Sequence, residues 1–367
     1  MASLPESVVE LNERASFVAL EEEWNALVEL VQPQPFFRHE FFRVWLDNFA
    51  PSQRWRILVH RDERGKLQGV LPLIADAGFM LGVPVRRLLG AANVHSCRFD
   101  LVASDPARSA QLFLGHLAAD RGWDVLLLSD VPEGGGGFEI LSAARRARCP
   151  VGTWESMRSP YMPLGGSTPA DEELSAKFRA NLRRRRRNLE ASGQVTLERV
   201  QGGPALERAL EDGFWLERQG WKGAAGTAIA FDAKTRGFYS ELAKAAALHG
   251  YLSCYFLRLD GEPVAFHYAL ELGRRYFLFK PAYSERLKEM GLGHLLVNEV
   301  LRDCIERGVE EFDFLGPDLP WKREWTRQTR PHTWLFVFRD STFGRALCRA
   351  RFRWAPAAGR LIRRWKR

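Results

Sequence analysis

Apolar residues recur at three- and four-residue intervals over residues 21–31 and 36–49, which predicts two amphipathic helices. Beyond them the interval shortens to two. WRILVH and LQGVLPLIA flank the turn DERGK and predict a hairpin. RFDLVA and WDVLLLS are short apolar strands separated by a helical stretch at 107–121. EGGGG (133–137) then interrupts the chain ahead of the helix FEILSAARRA, and a further strand is expected within 151–164. Four glycines in a row set no backbone geometry, so EGGGG is expected to be a loose connection. LGGSTPADEE (164–173), rich in Gly, Ser and Pro and then acidic, is expected to be a linker.

The second half repeats this plan. A basic helix (174–191) leads to the strand VTLERV, and helices follow near 205–220 and 235–249. YLSCYFLRL and EPVAFHYALEL flank a DG turn and form a second hairpin. RRYFLFK is a strand, HLLVNEVLRDCIERG a helix, and EEFDFLG and HTWLFVF are strands. Each half places helices before a hairpin and then a strand–helix–strand unit, a weak internal repeat. The expected fold class is α/β (α+β), with mixed sheets flanked by helices in two lobes. The expected boundaries are 1–165, 166–340 and a basic tail at 341–367.

Composition fits two lobes that each bury a core: 367 residues, 46% hydrophobic and 27% charged. The net charge of +8 is concentrated at one end. Nine basic residues and no acid follow Ser341, which leaves −1 (+8 less nine) for residues 1–341. A whole-surface nucleic-acid binder is thereby disfavoured. Basic residues interleaved with Phe343, Leu347, Phe352, Trp354, Leu361, Ile362 and Trp365 suit peripheral contact with an anionic membrane, as two stretches divided by Pro356. The alternative is a tail folded back on the acidic residues 171–173. The five cysteines show no metal or redox spacing and are expected to be reduced thiols. The N-terminus has acids where a signal peptide needs basic and then apolar residues, so a cytoplasmic location is expected.

Candidate chemistry lies between RRYFLFK and its following helix. Lys288-Glu289-Met290-Gly291-Leu292-Gly293 has a basic-x-x-G-x-G spacing. Glycines let backbone N–H groups approach a phosphate, and a helix N-terminus adds partial positive charge. This loop resembles the pyrophosphate loop of the GNAT superfamily of N-acetyltransferases. More narrowly, KFRANLRRRRRNLE, WKGAAGTAI, FLFKPAYSERLKEMGLGHLL and FDFLGPDLPWKREWT resemble the CelD-like acetyltransferases linked to cellulose and exopolysaccharide production. The resemblance covers about residues 174–338 and implies two tandem GNAT-like lobes, an architecture shared with the FemABX peptidyltransferases. It also implies acetyl-CoA or another acyl-CoA as cosubstrate, held at Lys288, Gly291, Leu292, Gly293 and His294. Lys288 departs from the Gln or Arg usual in the superfamily. No comparable loop follows RFDLVAS, so one cofactor site is expected, in the second lobe.

Strand alternation places Ala265, His267, Ala269 and Glu271 on one face of EPVAFHYALEL. His267 is therefore a candidate base among small residues, or else a structural histidine. Asp313 ends its strand and is either a base or the anchor of GPDLPWKREW. Tyr283 is a candidate acid toward the leaving thiolate, and Lys280 a candidate substrate contact. The pairs Trp221-Lys222 and Trp321-Lys322 could stack on sugar rings and bind hydroxyls, or simply pack their loops.

The arginine run in AKFRANLRRRRRNLE is mainly a solvated helix face. At 100° per residue, Phe178, Leu182 and Leu189 form the buried stripe, and Arg185 lies about 20° from Phe178. A guanidinium at that edge needs an anion: a carboxylate, a cofactor phosphate or an anionic substrate. The expected activity is direct acyl transfer, within a ternary complex, to a sugar, polysaccharide precursor or related small acceptor. The alternatives are an aminoacyl-tRNA-dependent peptidyltransferase of FemABX type, disfavoured because no helical arm is visible, and a non-catalytic scaffold. No metal is expected.

Overall fold

The computed structural model describes residues 6–165, 174–219 and 229–354. Its helices are α1 (Arg14–Val18), α2 (Glu21–Val31), α3 (His39–Phe49), α4 (Pro106–Ala119), α5 (Phe138–Arg146), α6 (Ala176–Glu190), α7 (Leu206–Gln219), α8 (Ala233–Leu248), α9 (Leu292–Glu306) and α10 (Thr342–Arg349). Its strands are β1 (Ser7–Leu11), β2 (Arg54–Arg61), β3 (Leu67–Met80), β4 (Val83–Gly90), β5 (Val102–Ala103), β6 (Val125–Pro132), β7 (Val151–Pro163), β8 (Val195–Val200), β9 (Cys254–Leu259), β10 (Glu262–Leu272), β11 (Arg275–Tyr283), β12 (Glu311–Asp313) and β13 (Thr329–Phe338). Two compact units result: Met1–Met157 with Pro331–Arg367, and Arg158–Arg330. Both are mixed sheets flanked by helices, the expected fold class. No helix among the described residues is long and apolar enough to cross a membrane.

In the first unit the strands run β1-β2-β3-β4-β6-β13, with β5 on β3. Only β4 and β6 pair in parallel, across the α4 crossover. In the second unit the order is β7-β12-β11-β10-β9-β8, and again one pair, β11 with β12, is parallel across α9. The sequence expectation placed the strand in 151–164 last in the first lobe and HTWLFVF last in the second. The structure differs. Tyr161–Pro163 pair with β12 inside the second unit, while 332–338 pair with β6 inside the first. The first unit is therefore discontinuous in sequence, and the units divide at 157/158 and 330/331 instead of at 165/166 and 340/341.

One more expectation is corrected. EGGGG is not loose: it wraps the buried carboxylate of Asp100. Gly136 and Gly137 donate their N–H groups to Asp100 at 3.1 and 2.6 Å, and Gln32 adds a third donor at 3.0 Å. The glycines are required by this approach, because a β-carbon on Gly135 would lie 2.5 Å from Asp100 Oδ2. The start of the tail also folds onto its own unit. Ser341 caps α10 by accepting from Gly344 N–H at 3.0 Å, Leu347 is buried, and Phe352 packs edge-on to Phe336 at 5.3 Å. Residues 355–367 and the acidic residues 171–173 lie outside the described residues.

The second unit positions the candidate site. Ser175 caps α6 by accepting from Phe178 N–H at 3.2 Å. Phe178, Leu182 and Leu189 then meet Leu292, Leu295 and Leu296 of α9 over Ala265, Ala269 and Tyr276 of the sheet. The opposite sheet face carries Phe266 and Tyr268. Gly213 of α7 lies so near Phe266 that a β-carbon would come within 2.4 Å of its ring, and Tyr268 donates to Tyr239 O of α8 at 2.9 Å. Thus α6 and α9 cover one face, and α7 and α8 the other.

Candidate functional site

The glycine loop is a 3-10 segment, Glu285–Met290, that ends at Gly291 in the left-handed conformation (φ 63°, ψ 41°). Gly291 is also the N-cap of the 15-residue α9 and has no side chain to cap it. His294 N–H already donates to Gly291 O at 3.1 Å, while the N–H groups of Leu292 and Gly293, ahead of it in the first turn, have no intrahelical acceptor and remain available to an anion. Their partial positive charge is not alone there. The guanidinium of Arg185, two turns into α6, lies directly on Gly291: a β-carbon there would be 2.7 Å from Arg185 Cζ. Among the described residues no carboxylate pairs with Arg185. Its neighbour Arg186 is paired, with Glu190 at 2.7 Å and with Glu299 of α9 at 3.1 Å. Arg183, Arg184 and Arg187 are exposed. The arginine run therefore divides into a solvated face, one helix–helix tie and one unpaired cation on the glycine loop.

Tyr283 ends β11 on the same sheet face. Its ring sits against Gly293, where a β-carbon would lie 3.3 Å from Tyr283 Cδ1. Burial, with Glu285 nearby, raises the phenol above its ordinary value, so it keeps its proton. His294 is half-buried. Its Nδ1 accepts from Trp325 Nε1 at 3.1 Å, and its ring stacks on Trp325. Burial lowers its basicity, opposed by Glu324. Trp321 packs edge-on to Phe314 at 5.9 Å and to His294 at 6.4 Å. Leu292 is wholly buried, so only its backbone can serve a ligand; Lys288 is exposed.

Other candidates fall elsewhere. His267 is 1% exposed, with Nδ1 3.2 Å from Tyr276 Oη, and burial pushes its imidazole down to about 3. A wholly buried imidazole of such low basicity is not a general base at neutral pH; the small neighbours make room for the core, not for a ligand. Asp313 is fully buried, accepts from Leu315 N–H at 2.8 Å and meets Arg330 at 3.3 Å, which anchors the following loop. Lys322 is 5% exposed and donates to Leu315 O and to Pro317 O (3.0 Å), so it clamps that loop instead of meeting substrate. Lys280 sits over the Tyr239 ring at 5.3 Å, on the face opposite the glycine loop. Trp221 and Lys222 lie outside the described residues.

One feature escaped the sequence reading. An open cleft of about 610 Å³ separates α6 from residues 323–327, lined by Lys177, Asn181, Arg323, Glu324, Trp325 and Arg327 among others. Lys177, Asn181 and Arg185 follow at i, i+4 and i+8, so one edge of α6 runs from the cleft to the glycine loop. That spacing was readable in AKFRANLRR; the opposing wall was not, because it comes from a distant loop.

Residues 176–323 match the family model described as an acetyltransferase (GNAT) domain. The second unit has a GNAT-type acyltransferase fold. Solved structures of similar fold include FemX (TM-score 0.58, 11% identity, covering 91% of this chain and 98% of that one). Another is the C-terminal domain of a putative lysylphosphatidylglycerol synthetase from Agrobacterium fabrum (0.56, 16%, 90% and 95%). A third is L-PGS from Bacillus licheniformis (0.55, 13%, 89% and 94%). At such identities the likeness concerns fold alone. No curated protein matches the sequence.

Proposed function

We propose that the GNAT unit is an acyl-CoA-dependent acyltransferase, with acetyl-CoA the first donor to test. One observation carries the reading: an arginine without a carboxylate partner lies on a left-handed glycine at the head of a 15-residue helix. The arrangement suits a diphosphate, with backbone N–H groups of the first turn of α9 on one side and Arg185 on the other. Bound acyl-CoA supplies an activated thioester carbon. Tyr283, which holds its proton beside Gly293, is positioned to donate toward a leaving thiolate. The acceptor is a sugar, a polysaccharide precursor or a related small molecule, as the CelD-like resemblance implies, and the cleft beside Lys177 and Asn181 is its proposed approach. Transfer is direct, without an acyl-enzyme: the acceptor's oxygen or nitrogen bonds to the thioester carbon, the C–S bond breaks, Tyr283 protonates the thiolate, and the acceptor's proton restores the Tyr283 phenol.

A second reading, aminoacyl-tRNA as donor, draws on the exposed Arg183, Arg184 and Arg187 of α6 and on the fold likeness to FemX. Calorimetric titration with acetyl-CoA and with aminoacyl-tRNA separates the two. Saturable acetyl-CoA binding that Gly293→Val weakens by at least about tenfold supports the first. Binding of aminoacyl-tRNA alone supports the second, and binding of neither leaves a scaffold.

A further inference from the structure

The first unit carries a second basic site that the transfer chemistry does not use. Helix α10 and the turn after it, Ala350–Trp354, are fixed in rotation by three contacts. Leu347 is buried, Cys348 Sγ donates to Val151 O at 3.6 Å, and Phe352 fills the space over Gly152, where a β-carbon would strike its ring at 2.2 Å. That orientation turns Arg345, Arg349 and Arg353, spaced four residues apart, toward one side. Facing them is Arg148, held at φ 60° in the left-handed position that closes α5, where Gly or Asn is usual. The four guanidinium-bearing side chains border one cavity of about 370 Å³, with Pro150, Val151, Cys348 and Phe352 as its other lining.

No carboxylate lines this cavity. Arg345 is paired with Asp340, at the margin. Among the described residues no carboxylate pairs with Arg148, Arg349 or Arg353. A cation in the last turn of a helix is ordinary, since it meets the helix dipole. That accounts for Arg349 but not for Arg148, which comes from another element, nor for Arg353, which lies beyond the helix. All four guanidiniums are exposed, so water screens their mutual repulsion, but they converge on one concavity without a carboxylate, and guanidinium forks match phosphate oxygens.

We infer that this cavity binds a phosphate group, either of a soluble phosphorylated molecule or of a lipid headgroup. The inference concerns the first unit and does not depend on the proposed transferase activity. The test uses the full chain with two probes: inorganic pyrophosphate by calorimetry, and co-sedimentation with phosphatidylcholine vesicles with and without phosphatidic acid. Arg349→Gln should weaken binding by about tenfold, whereas Arg351→Gln, which removes the same charge outside the cavity, should change it by less than about twofold. Arg351 lies over the Trp154 ring at 4.7 Å and is not part of the lining. Pyrophosphate binding with this dependence assigns a soluble source; binding only to the phosphatidic acid vesicles, with the same dependence, assigns a headgroup. The inference fails if neither probe binds or if both variants weaken binding equally. It also fails if Gly293→Val removes the pyrophosphate binding while Arg349→Gln leaves it intact, since the signal would then belong to the glycine loop.

Discussion

The Arg185 guanidinium occupies the space that a side chain on Gly291 would take, with 2.7 Å between Arg185 Cζ and the position of a β-carbon. A helix laid against a glycine loop thereby places a fixed cation at the mouth of a second helix. Arg185→Gln should weaken acetyl-CoA binding by about tenfold with little change in thermal midpoint, because no structural carboxylate is left behind. Gly291→Ala should weaken it at least as much, since alanine is strained at φ 63° and displaces the guanidinium. Wild-type affinity in a folded Arg185→Gln variant would remove the site.

Tyr283 should act on turnover more than on affinity. Tyr283→Phe keeps the ring against Gly293 and removes only the hydroxyl with its proton, so kcat should fall by about tenfold to a hundredfold while the dissociation constant for acetyl-CoA stays within about twofold. A parallel loss of affinity would make the residue a cofactor contact.

His267 should behave as a core residue. Its folded pKa, about 3, lies below the ordinary 6.5, so the folded state favours the neutral ring. The stability it contributes is complete above 6.5 and is lost progressively as the pH falls from there toward 3. His267→Asn should flatten that part of the stability profile and leave kcat within a few-fold at neutral pH. A large loss of turnover without a change in acid stability would reinstate it as a base.

Asp100 should titrate in the opposite sense. Burial raises its carboxyl from 3.8 to about 6, against the lowering effect of its donors Gln32, Gly137, Leu101 and Gly136. Its contribution is full below 3.8 and is lost as the pH rises through about 6. The backbone amide resonances of Gly136 and Gly137 should titrate with a midpoint near 6 in the wild type and lose that transition in Asp100→Asn. A midpoint at or below 3.8 would mean that the N–H donors offset or outweigh desolvation.

Much of this fold was legible because it depends on local period. The buried stripe of Phe178, Leu182 and Leu189 followed from 100° per residue, and the division of β10 into a Phe266–Tyr268 face and an Ala265–Ala269 face followed from alternation. The glycine spacing marked the loop, and the same angular argument set Arg185 apart within five consecutive arginines. β4 was missed because VPVRRLLG carries a proline and two arginines; Arg87 is satisfied across the sheet by Asp76 at 2.8 Å, a partner eleven residues away.

What the chain could not disclose was anything that depends on distant partners. His267 and Asp313 looked chemical by residue type, and Lys322 by its neighbour Trp321. Burial, the carbonyls of Leu315 and Pro317, and Arg330 made them structural. EGGGG looked loose until Asp100, more than thirty residues earlier, filled it. The strand segments 161–163 and 332–338 took their places by hydrogen bonding to β12 and β6, which no local period encodes. Periodicity is written in neighbouring residues. Desolvation, pairing and the company of a charge are set by what the folded chain brings alongside, and those separated candidate catalytic groups from ordinary supports.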